Sequence, residues 1–267
     1  MRKVCVIILF FSVTLNSFAI LPPPNNATAL SLGGASGTYL NPFAIENNVG
    51  ALAFSEQGIA LNASNRFGLS EYSNLMLAGN FKSDFATVGF SYQISPLANL
   101  TTQKAQLAVS RKLGDKISAG VAINYHRFSS IDAYYQTTNA FTFNAGLYYQ
   151  VNEKLNTGFQ FFNPNRSQLT ESPLEQLPAL ARLGFDYKIA ESIVCYSDVL
   201  QASDTKLDLN AGIELQKENY KLRGGFGLNQ LIALGFGWEI KNLQMDVTAA
   251  YHNQLGFSPS LNFGYAY

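Results

Sequence analysis

The sequence predicts an all-β chain: a transmembrane antiparallel β-barrel of about 14 strands with an N-terminal plug segment. Three observations predict it. The last stretch, Leu261-Asn262-Phe263-Gly264-Tyr265-Ala266-Tyr267, alternates large apolar with small or polar residues and stops on an aromatic. Stretches of about ten residues with the same period of two recur through most of the chain, and a tilted strand needs that length to cross a bilayer. The composition is unusual for a water-soluble sandwich. Only 13% of residues are charged, while 20 Phe, 14 Tyr and 21 Gly favour strands and tight turns.

Residues 1–19 read as a signal peptide. Arg2 and Lys3 form its charged start, Val4 to Leu15 its apolar run, and Ser17 and Ala19 the small residues of a cleavage site. Cys5 leaves with it, so Cys195 remains as a lone cysteine and no intramolecular disulfide forms. No other run is long and apolar enough for a membrane helix. Residues 20–56 are the expected plug and 57–267 the barrel.

Strands are expected at 57–66, 74–82, 85–94, 103–112, 116–126, 139–151, 155–162, 179–188, 192–199, 207–216, 219–226, 230–240, 243–252 and 260–267. The alternation is clearest in four of them. Ala86, Val88, Phe90, Tyr92 and Ile94 share one face of the third, and Ile117, Ala119, Val121, Ile123 and Tyr125 one face of the fifth. Leu207, Leu209, Ala211, Ile213 and Leu215 line up in the tenth, and Leu243, Met245, Val247, Ala249 and Tyr251 in the thirteenth. The pair at 219–226 and 230–240 has ambiguous register, and misreading it would leave 12 strands. Connections alternate between short turns (Ser83-Asp84, Gly114-Asp115, Lys241-Asn242 among them) and longer loops near 67–73, 95–102, 127–138, 163–177 and 200–206. Short turns on one side and longer loops on the other are what such barrels have.

A lumen of this size falls between side-chain-filled and open barrels. Residues 20–56 can fill it. Leu40, Phe43, Ile45, Val49, Leu52 and Phe54 are too apolar for a free tail, the bland alternative. If the apolar faces meet lipid, the later strands turn Arg182, Asp186, Lys188, Asp198, Asp208, Glu214, Lys221, Arg223, Glu239 and Asp246 inward. Mixed signs at close range favour cross-strand ion pairs that rigidify the wall, with a polar permeation path as the competing reading. The run Gly224-Gly225-Phe226-Gly227 is expected to form a bulge near a turn, or else a kink that opens the wall sideways.

Chemistry finds little support. His126 lies near Ser129 and Ser130, and His252 near Ser258 and Ser260, which would allow a Ser–His pair. No GxSxG and no phosphate-binding loop is present. Two histidines and one cysteine, far apart, make no metal site by spacing. No cofactor is implied, and a net charge of zero argues against nucleic acid.

After the signal peptide come Leu32-Gly33-Gly34-Ala35 and then Asn48-Val49-Gly50-Ala51-Leu52. These resemble the opening signature of FadL-type and PorV/PorQ-type outer-membrane barrels: a small-residue segment, then an Asn-Pro-Ala-Gly-Leu-like turn. Pro178 to Tyr187 resembles a strand of that group, and Tyr251 to Pro259 its final outer loop. Val49 stands where those barrels usually have Pro, and Glu46 is the only acid before the Asn-rich turn. The resemblance implies a fourteen-stranded barrel in the bacterial outer membrane, non-enzymatic, binding or passing hydrophobic small molecules. Gly33, Gly34, Phe43, Asn47, Asn48, Val49 and Leu52 would form the plug and its ligand site. Arg182, Asp186, Asp208, Glu214, Arg223, Glu239 and Asp246 would form the lumen polar network. The alternative role is an accessory of the type IX secretion system of Bacteroidetes or of outer-membrane assembly. A lipid hydrolase is the third reading. Expected partners are outer-membrane lipid, a hydrophobic ligand, and a secretion-system or envelope protein.

Overall fold

The computed structural model describes residues 26–97, 100–130, 137–164, 167, 177–203, 207–228 and 231–267. The expected signal peptide lies outside them. Fourteen strands close into an antiparallel barrel: β1 Gly58–Asn65, β2 Ser73–Lys82, β3 Thr87–Leu97, β4 Leu100–Lys112, β5 Ile117–Ser130, β6 Thr138–Gln150, β7 Leu155–Phe162, β8 Leu180–Ala190, β9 Ile193–Ala202, β10 Asp208–Lys217, β11 Tyr220–Gly227, β12 Leu231–Ile240, β13 Leu243–His252 and β14 Gly256–Ala266. Each strand pairs with its neighbours in sequence. The seam joins β1 to β14, from Gly58 opposite Ala266 to Ser64 opposite Ser260. Closure leaves no unpaired edge, the condition for a sheet to sit in lipid.

The period-two pattern sorts side chains by face. Outward positions are large and apolar: Leu107 and Val121 are each 61% exposed and Leu234 68%. Charged residues on this outward row, Arg111, Arg127 and Lys217, fall only near strand ends. Aromatics sit at both rims, with Phe81, Tyr149, Tyr220, Trp238 and Tyr265 toward the short turns and Phe141, Phe161, Phe226, Tyr251 and Phe257 toward the longer loops. An apolar belt between aromatic rims is the surface a bilayer solvates. The inward row is mostly polar or small, with Asn62 and Gln160 fully buried on it beside a few large residues such as Met76 and Tyr148.

Several expected boundaries move. The loop expected at 95–102 is mostly strand, with β3 and β4 paired as far as Leu97 opposite Leu100. The final outer loop expected over 251–259 is mostly strand. Ala249 pairs with Pro259 and His252 with Gly256, and Pro259 lies just past the last pair with β1, Ser64 opposite Ser260, on a stretch paired on one side only. β5 and β9 also run past their expected ends, to Ser130 and Ala202. The ambiguous pair at 219–226 and 230–240 forms two full strands in continuous register. The run Gly224 to Gly227 is neither bulged nor kinked: it pairs regularly with both β10 and β12. The described register breaks once, between Lys188 and Ala190 on β8.

Residues 26–55 lie inside the barrel. They hold helix α1 (Ala27–Ser31), helix α2 (Ala44–Asn47) and a 3₁₀ turn at Ala51–Ala53, all buried. Asn26 caps α1, its side-chain oxygen accepting from the Ala29 amide at 3.0 Å. Phe43, Ala44, Ile45, Val49, Ala51 and Leu52 pack against Ala60, Met76, Ala78, Ala108, Ala122 and Tyr148 of β1, β2 and β4 to β6. The apolar core of this protein therefore sits within the lumen.

Candidate functional site: the lumen and its inner segment

The inner segment runs around the wall at one level, and the wall is glycine there. Inward glycines 89, 120, 146, 158, 184, 212, 225 and 235 come from β3, β5, β6, β7, β8, β10, β11 and β12. Three sets face each other directly across strands: Gly120 with Gly146, Gly158 with Gly184, and Gly212 with Gly225. A Cβ on Gly225 would stand 2.1 Å from the Leu32 carbonyl carbon, and one on Gly158 2.4 Å from the Gly37 oxygen. One on Gly120 would stand 2.5 Å from the Val49 oxygen. The girdle exists because the segment lies directly on the wall, by its backbone at most of these glycines and by the side chains of Leu52 and Ser31 at Gly89 and Gly235, with no room for a further side chain between them. This accounts for Gly225 of the Gly224–Gly227 run, whereas Gly224 meets only Leu234 and the Ala233 carbonyl, at 3.5 Å or more.

Polar groups fasten the segment at each station. At β13 and β14 the Ala27 amide donates to Asn262 Oδ1 at 3.1 Å and the Thr28 hydroxyl to Asp246 Oδ2 at 3.0 Å. Gly33 takes φ +68° against the Phe226 backbone, and Gly34 takes φ +101° beside Asn210 on β10. At β9 the Ser36 and Gly37 amides both donate to Asp198 Oδ2 at 2.9 Å. Asn48 donates to the Gly37 and Leu147 carbonyls at 2.9 Å each, and the Val49 amide donates to Gln160 Oε1 at 3.0 Å. Arg182 Nη1 donates to the Asn47 carbonyl at 3.0 Å. Phe43 is in the apolar core, and Leu52 lies on Gly89.

The charged candidates fall into separate groups. Arg223 gathers two of them: its Nε meets Glu214 at 2.6 Å and its Nη1 meets Asp246 at 2.7 Å. Its Nη2 donates to the Tyr39 hydroxyl at 2.9 Å, and that hydroxyl donates to Glu214 at 2.9 Å. Burial, with Glu214 and Asp246 nearby, holds the Tyr39 hydroxyl well above its usual pKa against the pull of Arg223, so it stays a donor. Arg182 stands 3.6 Å from Asp198 and feels the charge of Asp208. Asp186 accepts from the Asn156 amide at 2.9 Å. Glu239 pairs with Lys221 at 3.2 Å, half-exposed. Lys188, the remaining inward candidate, is exposed.

One further group is absent from the sequence reading. Glu46 on α2 pairs with Lys104 of β4 and accepts from the Ser91 hydroxyl at 2.6 Å. Burial alone would raise its carboxyl, but Lys104 and these hydrogen bonds bring it below the ordinary value of 4.5. Tyr39, Gln160 and Asn262 are likewise holding residues outside the candidate set, and Asp198, expected on the inward row, is a further one. The positions of Asn262 and Gln160 on inward rows were readable; their partners in the segment were not.

Neither histidine is set up as a base. His126 Nε2 meets the Thr142 hydroxyl at 3.0 Å, and its ring stacks on Phe128. His252 Nδ1 accepts from the Gln254 and Leu255 amides and so closes the β13–β14 turn. Ser258 is engaged by the Phe67 amide. Among the described residues no group of three or more His, Cys, Asp or Glu is placed to hold a metal.

Toward the short-turn end, below the segment, opens a cavity of about 520 Å³. Tyr39, Phe54, Tyr148 and Tyr196 border it together with Asp186, Glu214, Arg223 and Asp246. The Tyr39 and Tyr196 rings lie 5.5 Å apart, and the Phe54 and Tyr148 rings 5.2 Å. This chamber is aromatic and polar at once.

Solved structures share this architecture over nearly the whole chain. The CymD monoaromatic hydrocarbon channel superposes with a TM-score of 0.72 at 11% identity, over 91% of this chain and 97% of that one. The chain has the fold of these channels. The Pseudomonas putida toluene transporter TodX matches with a TM-score of 0.67 at 11% identity, over 90% of this chain and 96% of that one. A Pseudomonas aeruginosa FadL homologue matches with a TM-score of 0.65 at 12% identity, over 91% and 98%. The first is described as a hydrocarbon channel and the second as a toluene transporter, and at these identities the likeness is one of fold. No family model matches the sequence, and no curated protein matches it by sequence comparison.

Proposed function

We propose that this chain is an outer-membrane channel that binds and passes hydrophobic small molecules, without catalysis. The observation that carries the reading is the pairing of a bilayer-matched barrel with a segment that lies across its lumen, in a fold shared with hydrocarbon channels. The inner segment acts as a plug: it keeps an otherwise wide lumen from becoming an open aqueous pore. The belt of outward apolar residues takes outer-membrane lipid as its partner, and the short turns face the periplasm.

The test is uptake of radiolabelled toluene by cells with an intact lipopolysaccharide layer, with and without the chain in their outer membrane. A several-fold faster initial uptake is expected. Assembled barrels that leave uptake at the background rate would overturn the reading.

A further inference from the structure

Asp186 on β8 is the least compensated charge in the lumen. The residue is 7% exposed, and its carboxylate accepts one hydrogen bond at 2.9 Å, from the neutral Asn156 amide, with the Thr38 hydroxyl beside it. Among the described residues no Lys, Arg or His lies within ion-pair distance of it. The other buried acids are engaged: Glu214 and Asp246 by Arg223, Asp198 by Arg182 and two backbone amides. Even the Arg223 group carries two carboxylates on one guanidinium.

Asp186 opens onto the chamber of about 520 Å³, whose walls include the Tyr39, Tyr148 and Tyr196 rings. Lys154 and Lys188 border it too, but both are exposed, so water screens their charge. Burying a carboxylate without a counter-ion is costly, and a cation brought to it removes that cost. Aromatic faces add attraction for a desolvated cation.

We propose that this chamber is a binding site for an organic cation, an amine carried on an apolar or aromatic body, with Asp186 as its counter-ion and the tyrosines as its walls. This rests on the channel reading above and names the class of molecule the channel prefers: hydrophobic amines over neutral hydrocarbons and over carboxylates. A chamber of this volume admits a single-ring amine with room to spare.

Calorimetric titration of the full chain in mild detergent, with benzylamine, benzyl alcohol and benzoate as probes, tests it. Benzylamine is expected to bind at least tenfold tighter than benzyl alcohol, and benzoate weaker than both. Asp186→Asn should erase the preference for the amine while still binding benzyl alcohol, and Asp186→Glu should restore part of it. Heat-modifiable migration of each variant checks that the barrel is intact. Equal binding of amine and alcohol, or an amine preference that survives Asp186→Asn, would overturn the proposal and leave the channel reading standing. Failure of all three probes to bind, together with background toluene uptake, would overturn both.

Discussion

The glycine girdle makes a prediction whose size follows from distances. In Gly120→Ala the new Cβ would sit 2.5 Å from the Val49 carbonyl oxygen and 2.7 Å from its carbon. Ordinary contact begins at 3.4 Å, so residues 49–50 must withdraw by 3.4 − 2.5 = 0.9 Å. The wall cannot yield instead, because β5 is paired on both sides at that point, with Ser110 and Gly146. Withdrawal stretches the Ser110 bond to the Gly50 carbonyl, now 3.1 Å, and the Val49 bond to Gln160, now 3.0 Å, beyond useful range. Two such bonds at about 1 kcal/mol each, with an overpacking cost of about 1 kcal/mol, sum to about 3 kcal/mol, or roughly a hundredfold in the population of the displaced segment. The endoproteinase that cuts after Glu reads this. Glu46 is 3% exposed, so it is cut only when the segment leaves the wall. Gly264→Ala is the control: its Cβ would meet nothing nearer than Gln244 Cβ at 3.5 Å. Cleavage at Glu46, identified by peptide mass, should accelerate roughly a hundredfold in Gly120→Ala by the estimate above and stay at the wild-type rate in Gly264→Ala. Equal rates in the two variants would refute close backbone contact as the reason for the girdle.

Three further outcomes are expected. Arg223→Met leaves Glu214 and Asp246 buried without a counter-ion, which should cost about 3–5 kcal/mol and lower the temperature at which the barrel loses its compact migration in detergent gels by far more than Lys221→Met at the half-exposed pair does. Glu46 has a folded-state pKa below the usual 4.5, so its contribution is present above that value and is lost as pH falls through the folded pKa; the melting-temperature gap between wild type and Glu46→Gln should be open at pH 7 and close as the pH is taken below 4.5 and through the folded pKa. Val121→Lys puts a charge on the outward belt at a position 61% exposed, and should reduce insertion into lipid vesicles by about 2–4 kcal/mol, whereas Asn124→Gln on the inward row of the same strand should insert as wild type does.

The barrel was legible because a strand half in lipid and half in a lumen writes its pattern into alternate residues. Ile117 to Tyr125 shows one face and Ser118 to His126 the other, and both survive in β5. Strand ends were harder, since the alternation continues where bilayer thickness no longer demands it: Pro96 and Pro259 looked like loop residues yet lie within strands. Proline at such places costs a ladder hydrogen bond only where its nitrogen points at a neighbour. Inside the lumen, sequence marked the charged residues but not their partners. Arg223 joins Glu214 across adjacent strands, a pairing register alone would find. Asp198 instead serves the amides of Ser36 and Gly37, 161 residues or more away in the chain, and no local pattern encodes that. The glycines were visible all along as small inward residues. Their alignment at one level needed the register of eight strands at once.

That alignment divides the lumen in two. Where the segment runs from Phe43 to Leu52 it meets β3 to β7 through apolar side chains, the buried pair of Glu46 with Lys104, and neutral hydrogen bonds such as those from Gln106 to the Ile45 carbonyl and from Ser110 and Ser118 to the Gly50 carbonyl. Where it runs from Ala27 to Tyr39 it meets β8 to β14 almost wholly through charged and amide groups. Hydrogen bonds to carboxylates are directional and lose most of their worth within an ångström, whereas apolar packing tolerates sliding. The charged half therefore fixes the segment most sharply in register, and the Phe43–Leu52 half holds it by apolar packing and neutral hydrogen bonds. On the proposed channel reading, the face between Phe43–Leu52 and the wall of β3 to β6 is the apolar side that a hydrophobic molecule would meet. The short-turn chamber bordered by Tyr148 of β6 and by Asp186 of β8 lies across the junction of the two halves, so on the same reading a molecule leaving the apolar side would meet the tyrosines and the Asp186 carboxylate next.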